Sequence, residues 1–250
     1  MTGIAFFDVD KTVLSVNSAA LWVKREFHAG NVTRGQALRA ALWLSLYHLG
    51  FARLDDVIVT AVRGLRGLKE RDVIDRTMAF FRSDIVHYIQ PAAREAMAAH
   101  KAKGDLVFLL TSSTNYLCAP LGDELLIDGF LANRFAVEQG VFTGEPEWPL
   151  CFGPGKVAHA RVVADKLGVS LLECAFYTDS ASDLPMLEAV GHPVVVDPDP
   201  RLRRIARKRG WPIQRWRLST AKALPAPAPT RRTLPAPATI PPPPPRADEP

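Results

Sequence analysis

Two aspartates near the N-terminus, Asp8 and Asp10, are the residues whose type and spacing most directly suggest chemistry. They end the apolar run at residues 4–7, and residues two apart in a strand point to the same side. Both carboxylates can therefore converge where this strand ends. Two like charges held so close favour a divalent cation such as Mg²⁺, which prefers oxygen ligands and cancels their repulsion. For this pair taken alone, a surface turn is the alternative interpretation.

Three later segments supply the other groups that a metal and phosphate site needs. Each follows an apolar run or a glycine-rich turn, and their hydroxyl, ammonium and carboxylate groups can bind a phosphoryl group or a cation. They are Thr111-Ser112-Ser113, Lys156 after Gly153-Pro154-Gly155, and Asp179 with Asp183. Alone, each segment is equally compatible with an ordinary surface loop. Together they predict a metal and phosphate site at the ends of strands.

The apolar pattern predicts the elements that position these groups. From residue 91 helices and strands alternate, with helices at 92–103, 156–167 and 184–189 and strands at 106–110, 175–178 and 194–196. This order predicts an α/β fold with a mostly parallel sheet, whose ligands bind beyond the carboxyl ends of the strands. The candidate residues lie at those ends.

Between the first strand and residue 90, apolar residues recur at helical spacing, which predicts three or four amphipathic helices. This block is expected to be a cap inserted after the first strand. The predicted domains are a catalytic core (1–14 and 90–218), a helical cap (15–89) and a disordered Pro-rich tail (219–250).

Composition restricts the class of protein. The 250 residues are 48% hydrophobic, enough for one substantial core or for one core with an inserted subdomain. No charged segment followed by a long apolar run opens the sequence, so we expect a cytoplasmic protein. Cys118, Cys151 and Cys174 are too widely spaced for a disulfide framework or a structural zinc site and are expected to be buried.

The net charge of +5 is unevenly distributed, because residues 201–217 carry eight cations and no acid. Such a patch can contact an anionic membrane or nucleic acid, but it is more often the solvated face of a helix, and we expect no nucleic-acid partner. The uncharged segment 40–52 is too short to span a bilayer. It could lie in a membrane interface or pack within the cap. PxxP matches in the tail, such as residues 241–244, weakly resemble ligands of SH3-like domains.

The order of these motifs resembles the haloacid dehalogenase superfamily. Its four motifs correspond to Asp8-Val9-Asp10-Lys11-Thr12, Thr111-Ser112, Lys156, and Asp179-Ser180-Ala181-Ser182-Asp183. The amino-acid sequences of these motifs are similar to those of the phosphoserine-phosphatase-like subfamily IB. The resemblance covers residues 3 to about 217. It implies a Rossmann-like three-layer core with an inserted all-helical cap.

The resemblance also implies roles for the two N-terminal aspartates. Asp8 is the expected nucleophile, which forms an aspartyl-phosphate, and Asp10 is the expected general acid and then general base. An acid at Asp10 favours a phosphatase over a dehalogenase, since no alkoxide is protonated in dehalogenation. Mg²⁺ is expected on the Asp8 carboxylate, the Asp10 carbonyl and Asp179, with Asp183 in support. Thr111 and Lys156 are expected to bind the phosphoryl group, and Ser112 could replace Thr111.

Substrate choice is the least determined property. In phosphoserine phosphatases a Glu nine residues after the nucleophile meets the substrate amine, but here that position is Asn17, followed by Ser18. A neutral amide cannot form that ion pair, which argues against phosphoserine. Arg63 and Arg66 are both candidates for contact with a substrate carboxylate. The prediction is therefore a Mg²⁺-dependent phosphatase of a small phosphorylated substrate. The alternatives are a membrane-associated phosphatase acting on a phospholipid head group or lipid phosphate, and a non-catalytic adaptor that presents the PxxP tail.

Overall fold

The structure is a computed structural model that describes residues 3–28, 30, 35 and 54–217. At its centre lies a six-stranded sheet of β1 (Ile4–Phe7), β2 (Leu106–Thr114), β3 (Gly129–Asn133), β6 (Ala175–Thr178), β7 (His192–Val196) and β8 (Ile213–Gln214). The strand order is β3-β2-β1-β6-β7-β8, and every neighbouring pair is parallel. A separate antiparallel hairpin is formed by β4 (Phe135–Glu138) and β5 (Val141–Pro146). The predicted parallel α/β sheet is confirmed.

In chain order the described helices are α1 (Ser18–His28), α2 (Leu54–Arg63), α3 (Glu70–Phe80), α4 (Pro91–Ala102), α5 (Asn115–Leu125), α6 (Pro154–Leu167), α7 (Leu184–Ala189) and α8 (Pro200–Arg209). Helices α4 to α8 pack on the two faces of the sheet. Side chains of β1 alternate between two buried clusters: Ala5 and Phe7 pack with α4 and α5, whereas Ile4 and Phe6 pack with α6, α7 and α8. The predicted three-layer core follows from this alternation, since period two sends neighbouring residues to opposite faces.

Helices α1, α2 and α3 all lie between β1 and residue 90 in sequence. The Trp22 ring on α1 meets the Phe80 ring at the end of α3 edge-on, with centroids 5.2 Å apart. Ion pairs join Glu26 to Arg76 and Arg25 to Asp84. These contacts pack α1 against α3 and the turn that follows α3.

The two chain segments that lead into and out of this helical block pair with each other. Leu14 and Ile89 form an antiparallel bridge, and the Gln90 N–H donates to the Val13 carbonyl at 2.9 Å. The Gln90 side-chain amide also donates to the Thr12 carbonyl at 2.7 Å. We call these paired segments, residues 12–15 and 88–90, the neck. The neck holds the start and the end of the insertion side by side.

The β4–β5 hairpin was not predicted from the sequence, and it contacts the segment between α2 and α3. The Gly67 N–H donates to the Phe142 carbonyl at 3.0 Å, the Phe142 N–H to Leu68 at 2.9 Å, and the Glu70 N–H to Gly140 at 2.8 Å. Backbone hydrogen bonds therefore attach the helical insertion to the hairpin as well as to the neck.

Several predictions concern residues outside the described ranges. They are the possible membrane-interface segment at 40–52 and the Pro-rich tail at 219–250 with its PxxP matches. Within the ranges that are described, no helix combines the length and apolar character needed to cross a bilayer. Cys118, Cys151 and Cys174 are all buried and unpaired, as expected.

Candidate functional site

Asp8 lies directly after the central strand β1, and its N–H donates to the Tyr177 carbonyl of β6 at 2.9 Å. The chain then leaves the strand in a tight turn, in which Lys11 takes a positive φ of 59°. Its N–H donates to the Val16 carbonyl at 3.0 Å, and the Leu14 N–H donates to Val9 at 2.9 Å. This turn keeps Asp10 beside Asp8 at the carboxyl edge of the sheet.

Lys156 links two of the aspartates that the sequence separates widely. Its Nζ lies 2.7 Å from Asp8 Oδ1 and 2.8 Å from Asp183 Oδ2. The lysine is only 2% exposed, as is Asp183, so both ion pairs are buried. The ammonium attracts both carboxylates, but its single positive charge offsets only one of their two negative charges. We call these three residues the ion triad.

The turn before α6 brings Lys156 into this position. Gly153 takes a positive φ of 50°, and a Cβ added at Gly155 would lie 1.9 Å from the Leu150 carbonyl oxygen. Only glycine permits that close approach. The glycine-rich turn identified in the sequence therefore has a steric reason: it lets α6 begin where its third residue, Lys156, reaches Asp8.

Asp179 and Asp183 both follow β6, but their surroundings differ. Asp183 Oδ2 accepts a second hydrogen bond, from Thr178 Oγ1 at 2.7 Å, so this oxygen is held by two donors. Asp179 is buried, and no hydrogen bond to its carboxylate is found among the described residues. The two acids of this motif are therefore not equivalent.

Asp10 and the predicted specificity residues Asn17 and Ser18 meet at the start of α1. Asp10 Oδ1 accepts from the Ser18 N–H at 2.8 Å, and Asn17 Oδ1 accepts from the Ala20 N–H at 2.9 Å. Asn17 thereby has the geometry of a helix N-cap, which satisfies a donor in the first turn. Asp10 is oriented by the same helix end.

Thr111 and Ser112 lie in the last part of β2, which extends four residues beyond the predicted strand. Thr111 is buried, and its Oγ1 accepts from the Ser113 N–H at 3.1 Å. The Ser112 carbonyl accepts from the Asn133 side chain at 2.7 Å, while Asn133 Oδ1 accepts from the Cys151 N–H at 2.8 Å. Asn133, which sequence reasoning missed, thus links β2, β3 and the segment before α6.

Arg63 and Arg66 lie at the end of α2 and in the turn after it, and both are exposed. The side chain of Arg66 covers Gly144 of the hairpin, where an added Cβ would approach its Cβ to 2.9 Å. Neither arginine forms a hydrogen bond or ion pair with the ion triad or with Asp10 in the described part of the chain. The structure therefore brings together the predicted motif residues but does not join these two arginines to them.

Burial changes the acidity of the clustered groups. It raises the pKa of Asp8 to about 7, although the Lys156 ammonium acts in the opposite direction. Burial and the nearby Asp8 charge raise the pKa of Asp179 to about 8. Burial also raises the pKa of Asp10, partly offset by its hydrogen bonds from Ser18. Burial alone would lower the pKa of Lys156, but the charges of Asp183 and Asp8 outweigh it and hold that pKa above its ordinary value.

No set of three or more His, Cys, Asp and Glu side chains within the described ranges is arranged to hold a metal ion. Mg²⁺ does not require such a set, because one or two carboxylates with waters commonly suffice. Asp8 and Asp179 supply two buried carboxylates close enough to raise the pKa of Asp179. The donor chemistry at this edge is therefore suited to a hard cation.

Comparisons with known proteins agree with this geometry. The family model described as haloacid dehalogenase-like hydrolase matches residues 5–188, more than half of the chain. A Streptomyces azureus protein named for inhibition of morphological differentiation is 35% identical over 84% of this chain and 76% of its own length. A probable phosphatase of Mycobacterium tuberculosis is 34% identical over 84% and 74%, respectively. A phosphoserine phosphatase of the same organism is 31% identical over 89% of this chain and 74% of its own.

Among solved structures, a protein of unknown function from Bordetella pertussis superposes with a TM-score of 0.78. The two sequences are 27% identical, and the match covers 86% of this chain and 99% of the Bordetella pertussis chain. The predicted resemblance and the predicted class of enzyme, a phosphoric monoester hydrolase, are both confirmed. The chain belongs to the haloacid dehalogenase-like hydrolase family, and within that family it is a phosphatase.

Proposed function

We propose that the chain is a Mg²⁺-dependent phosphatase that hydrolyses a small phosphomonoester through a phosphorylated Asp8. The observation that carries this proposal is the buried ion triad at the carboxyl edge of the sheet, with Asp10 and Asp179 beside it. An ion triad that served stability alone would gain little, since burying charges costs about as much as their pairing returns. A reactive carboxylate next to a fixed positive charge suits phosphoryl transfer, which depends mainly on positioning and electrostatics.

The residues present fit Mg²⁺. Burial leaves Asp8 and Asp179 with pKa values of about 7 and 8, as expected for buried carboxylates whose negative charge is not fully compensated by a cation. We assign these two carboxylates and the Asp10 carbonyl as the residues that hold Mg²⁺, with Asp183 in support through its contact with Lys156. When bound, the ion would offset the charge of the phosphoryl oxygens.

In the proposed reaction, the Asp8 oxygen not held by Lys156 attacks phosphorus, and the bond from phosphorus to the leaving oxygen breaks. The Asp10 carboxyl gives its proton to that leaving oxygen, and its raised pKa favours carrying one. Asp10, now ionised, takes a proton from the water that attacks phosphorus. The bond between Asp8 and phosphorus breaks, which releases inorganic phosphate and restores the Asp8 carboxylate.

Thr111 and Lys156 are the proposed phosphoryl-binding residues. Lys156 holds its ammonium beside the Asp8 oxygen at 2.7 Å, so a phosphoryl group on Asp8 would carry its negative oxygens next to a positive charge. Thr111 lies in β2, two residues beyond Leu109, the partner of Phe7 in β1, and its hydroxyl can donate. Ser112 offers the same group one residue later and remains the alternative.

Asp8→Asn tests the covalent route. The amide keeps the size of the side chain but removes the attacking oxygen charge, so hydrolysis of p-nitrophenyl phosphate in Mg²⁺ should become undetectable. EDTA should likewise abolish hydrolysis of p-nitrophenyl phosphate by the wild-type protein. Asp128→Asn, a change at the opposite edge of the sheet, is the control and should retain activity. More than about one hundredth of the wild-type rate in a folded Asp8→Asn protein would exclude the covalent route.

For the substrate, we propose a phosphomonoester other than phosphoserine. The Oδ1 of Asn17 is used by the α1 backbone, and an amide carries no charge to pair with a substrate amine. The related Mycobacterium tuberculosis protein is named a phosphoserine phosphatase, so phosphoserine is the decisive comparison. In a panel of phosphorylated metabolites, kcat/KM for phosphoserine should fall below that of at least one amine-free phosphomonoester. Arg63 and Arg66 remain proposed specificity residues.

We also propose the division into a core (1–14 and 90–218), a helical cap (15–89) and a Pro-rich tail (219–250). Support for the first boundary comes from the neck, where Leu14 and Ile89 pair. The cap would cover the carboxyl edge of the sheet and choose the substrate there. Limited proteolysis that cuts first outside the neck, with the core fragments remaining associated, would support these boundaries.

The second candidate function, a membrane-associated phosphatase of phospholipid head groups, is favoured by one observation. Helix α8 buries Leu202 and Ala206 against the sheet and turns six cations outward: Arg201, Arg203, Arg204, Arg207, Lys208 and Arg209. Each cation near an anionic surface contributes about 1 kcal/mol of attraction. Sedimentation with phosphatidylserine vesicles at low salt tests this function. Binding should disappear in Arg204→Glu/Lys208→Glu but persist in the control Arg161→Glu/Lys166→Glu; no binding by the wild type removes this candidate.

A further inference from the structure

Asp199, which precedes α8, forms hydrogen bonds to the loop that carries Asp179. Its N–H donates to the Asp179 carbonyl at 2.9 Å, and its Oδ2 accepts from the Ala181 N–H at 2.7 Å. Its other oxygen, Oδ1, accepts from the Leu202 N–H at 2.7 Å and so caps α8. One aspartate therefore connects two backbone positions of the loop with the start of a helix.

The two carboxylate oxygens of Asp199 serve different elements. A serine or threonine at a helix N-cap has a single side-chain oxygen, which suffices to accept from the first turn. Capping of α8 alone would therefore not need a second oxygen. The second oxygen of Asp199 is directed at Ala181, two residues beyond Asp179. This contact constrains the loop rather than the helix.

The segment that carries Asp199 is itself anchored on its other side. Asp197 takes a positive φ of 39°, an uncommon conformation for a residue other than glycine. Its Oδ2 accepts from the N–H groups of Trp216 and Arg217 at 3.1 and 3.0 Å. Because residues 197–199 are tied to the end of the described chain, Asp199 can act as a fixed support for the Asp179 loop.

We propose that Asp199 is a positioning residue that holds the Asp179 loop in the geometry needed for cation binding. This inference rests on the proposed function, in which Asp179 holds Mg²⁺. Asp199 acts through the backbone of Asp179 and Ala181 and touches neither substrate nor cation. Charge-assisted hydrogen bonds of this kind are roughly twice as strong as those between neutral groups. They can therefore keep the Asp179 loop in place when a charged ligand binds.

Asp199→Ser separates the two tasks. The serine hydroxyl can still cap α8 at Leu202, but one oxygen cannot also hold Ala181. We expect the urea unfolding midpoint to stay near the wild-type value, while the Kd for Mg²⁺, measured by calorimetric titration, rises at least fivefold. The Ala181 amide should also exchange its hydrogen faster in the metal-free protein. The KM for p-nitrophenyl phosphate at saturating Mg²⁺ should change less than twofold.

Asp128→Ser is the matched control, since Asp128 Oδ2 accepts from the Val107 N–H at 2.8 Å at the opposite edge of the sheet. This variant loses a similar bond and should leave the Kd for Mg²⁺ unchanged. Asp199→Asn provides a second variant if Asp199→Ser does not fold. Its single oxygen and its neutral charge should weaken Mg²⁺ binding at least twofold.

The outcomes distinguish the two proposals. A wild-type protein that neither binds Mg²⁺ nor hydrolyses phosphomonoesters contradicts the proposed function itself. If the wild type does both, and a folded Asp199→Ser or Asp199→Asn protein keeps the wild-type Kd and amide exchange, then Asp199 is only a helix cap and the positioning role is wrong.

Discussion

The two sides of the candidate site are built differently. On the core side, Asp8, Lys156 and Asp183 are buried and joined by hydrogen bonds of 2.7 and 2.8 Å. On the side of the helical insertion, Arg63 and Arg66 are exposed and lie apart from that network. Groups on the core side are fixed before any ligand arrives, which is what catalysis of phosphoryl transfer requires. The two arginines on the insertion side are not fixed by such contacts in the described part of the chain, so their side chains can adjust to the substrate.

Among the changes that test this comparison, the largest expected effect comes from removing the positive charge of the core side. Lys156→Met leaves Asp8 and Asp183 buried without their shared counter-charge. Turnover of p-nitrophenyl phosphate should fall by about 10³-fold or more, and the free energy of unfolding by about 3–5 kcal/mol. Lys166→Met, an exposed position of the same helix, is the control for both measurements. Turnover within tenfold of wild type would show that the ion triad is not part of the reaction.

The next effect is on cation binding and follows from pKa values. Asp8 and Asp179, with pKa values of about 7 and 8, must lose protons before they hold Mg²⁺. Since protons compete with the ion, the Mg²⁺ affinity should rise on the order of tenfold or more between pH 6 and pH 8. Calorimetric titration measures it, and Asp179→Asn should remove most of the dependence. A Mg²⁺ affinity that stays constant between pH 6 and pH 8 would contradict the assignment of Asp8 and Asp179 as ligands.

The same raised pKa values predict how the stability of the metal-free protein changes with pH. Both carboxyls hold their protons more tightly in the folded than in the unfolded state, whose pKa values lie near 3.8. Their contribution to stability is therefore present below about pH 4 and is lost as the pH rises towards 8. The difference in Tm between Mg²⁺ and EDTA should accordingly widen from pH 5.5 to pH 8. A difference that narrows over this range would reverse the assigned sign.

A smaller effect is expected on the insertion side at Asn17. Asn17→Ala removes the cap of α1 and should lower the free energy of unfolding by about 1 kcal/mol, measured by urea denaturation. Turnover of p-nitrophenyl phosphate should change by less than about threefold because the side chain is occupied by the helix. Asn17→Asp keeps the cap and serves as the control. A tenfold loss of turnover in folded Asn17→Ala would instead assign Asn17 to the substrate.

The smallest effect is expected at the exposed arginines. Arg63→Ala and Arg66→Ala should leave kcat for p-nitrophenyl phosphate within about twofold, as is usual for exposed side chains outside a bonded network. Their influence should appear only in KM for substrates that carry a carboxylate. A tenfold fall in kcat for either variant would place that arginine in the reaction and erase the contrast between the two sides.

Much of the core side could be predicted because its residues follow abrupt ends of apolar segments. Asp8 and Asp179 each follow a fully buried strand, so the sheet order places them at one edge. That Asp183 faces Lys156 could not be predicted, because this pairing depends on how α6 lies against the sheet. Asp199 was missed for a related reason, because its contact with Ala181 is made across the fold and is not visible in the spacing of residues.

Two of the departures from the predicted strands, the longer β2 and the β4–β5 hairpin, have local explanations. The predicted second strand stopped where hydroxyl residues begin, yet β2 continues because Thr114 pairs with Asn133 of β3. The hairpin did carry a sequence signal, because Gly140 suits the positive φ that both turn residues, Gln139 and Gly140, adopt, and because the flanking residues suit strands. Conversely, Asn17 was selected by its spacing from Asp8, and spacing alone does not reveal that its oxygen caps α1.

The neck has a consequence for how this chain can change. Because Leu14 and Ile89 pair at its base, the insertion leaves and rejoins the core at neighbouring points, as a surface loop does. The entropic cost of closing such a loop grows only slowly with its length. Insertions of different length or sequence can therefore be exchanged at the neck while Asp8, six residues upstream of Leu14, stays in place. Under the proposed function, in which the cap chooses the substrate, the core is a reusable scaffold whose substrate preference can change by replacement of a single continuous segment.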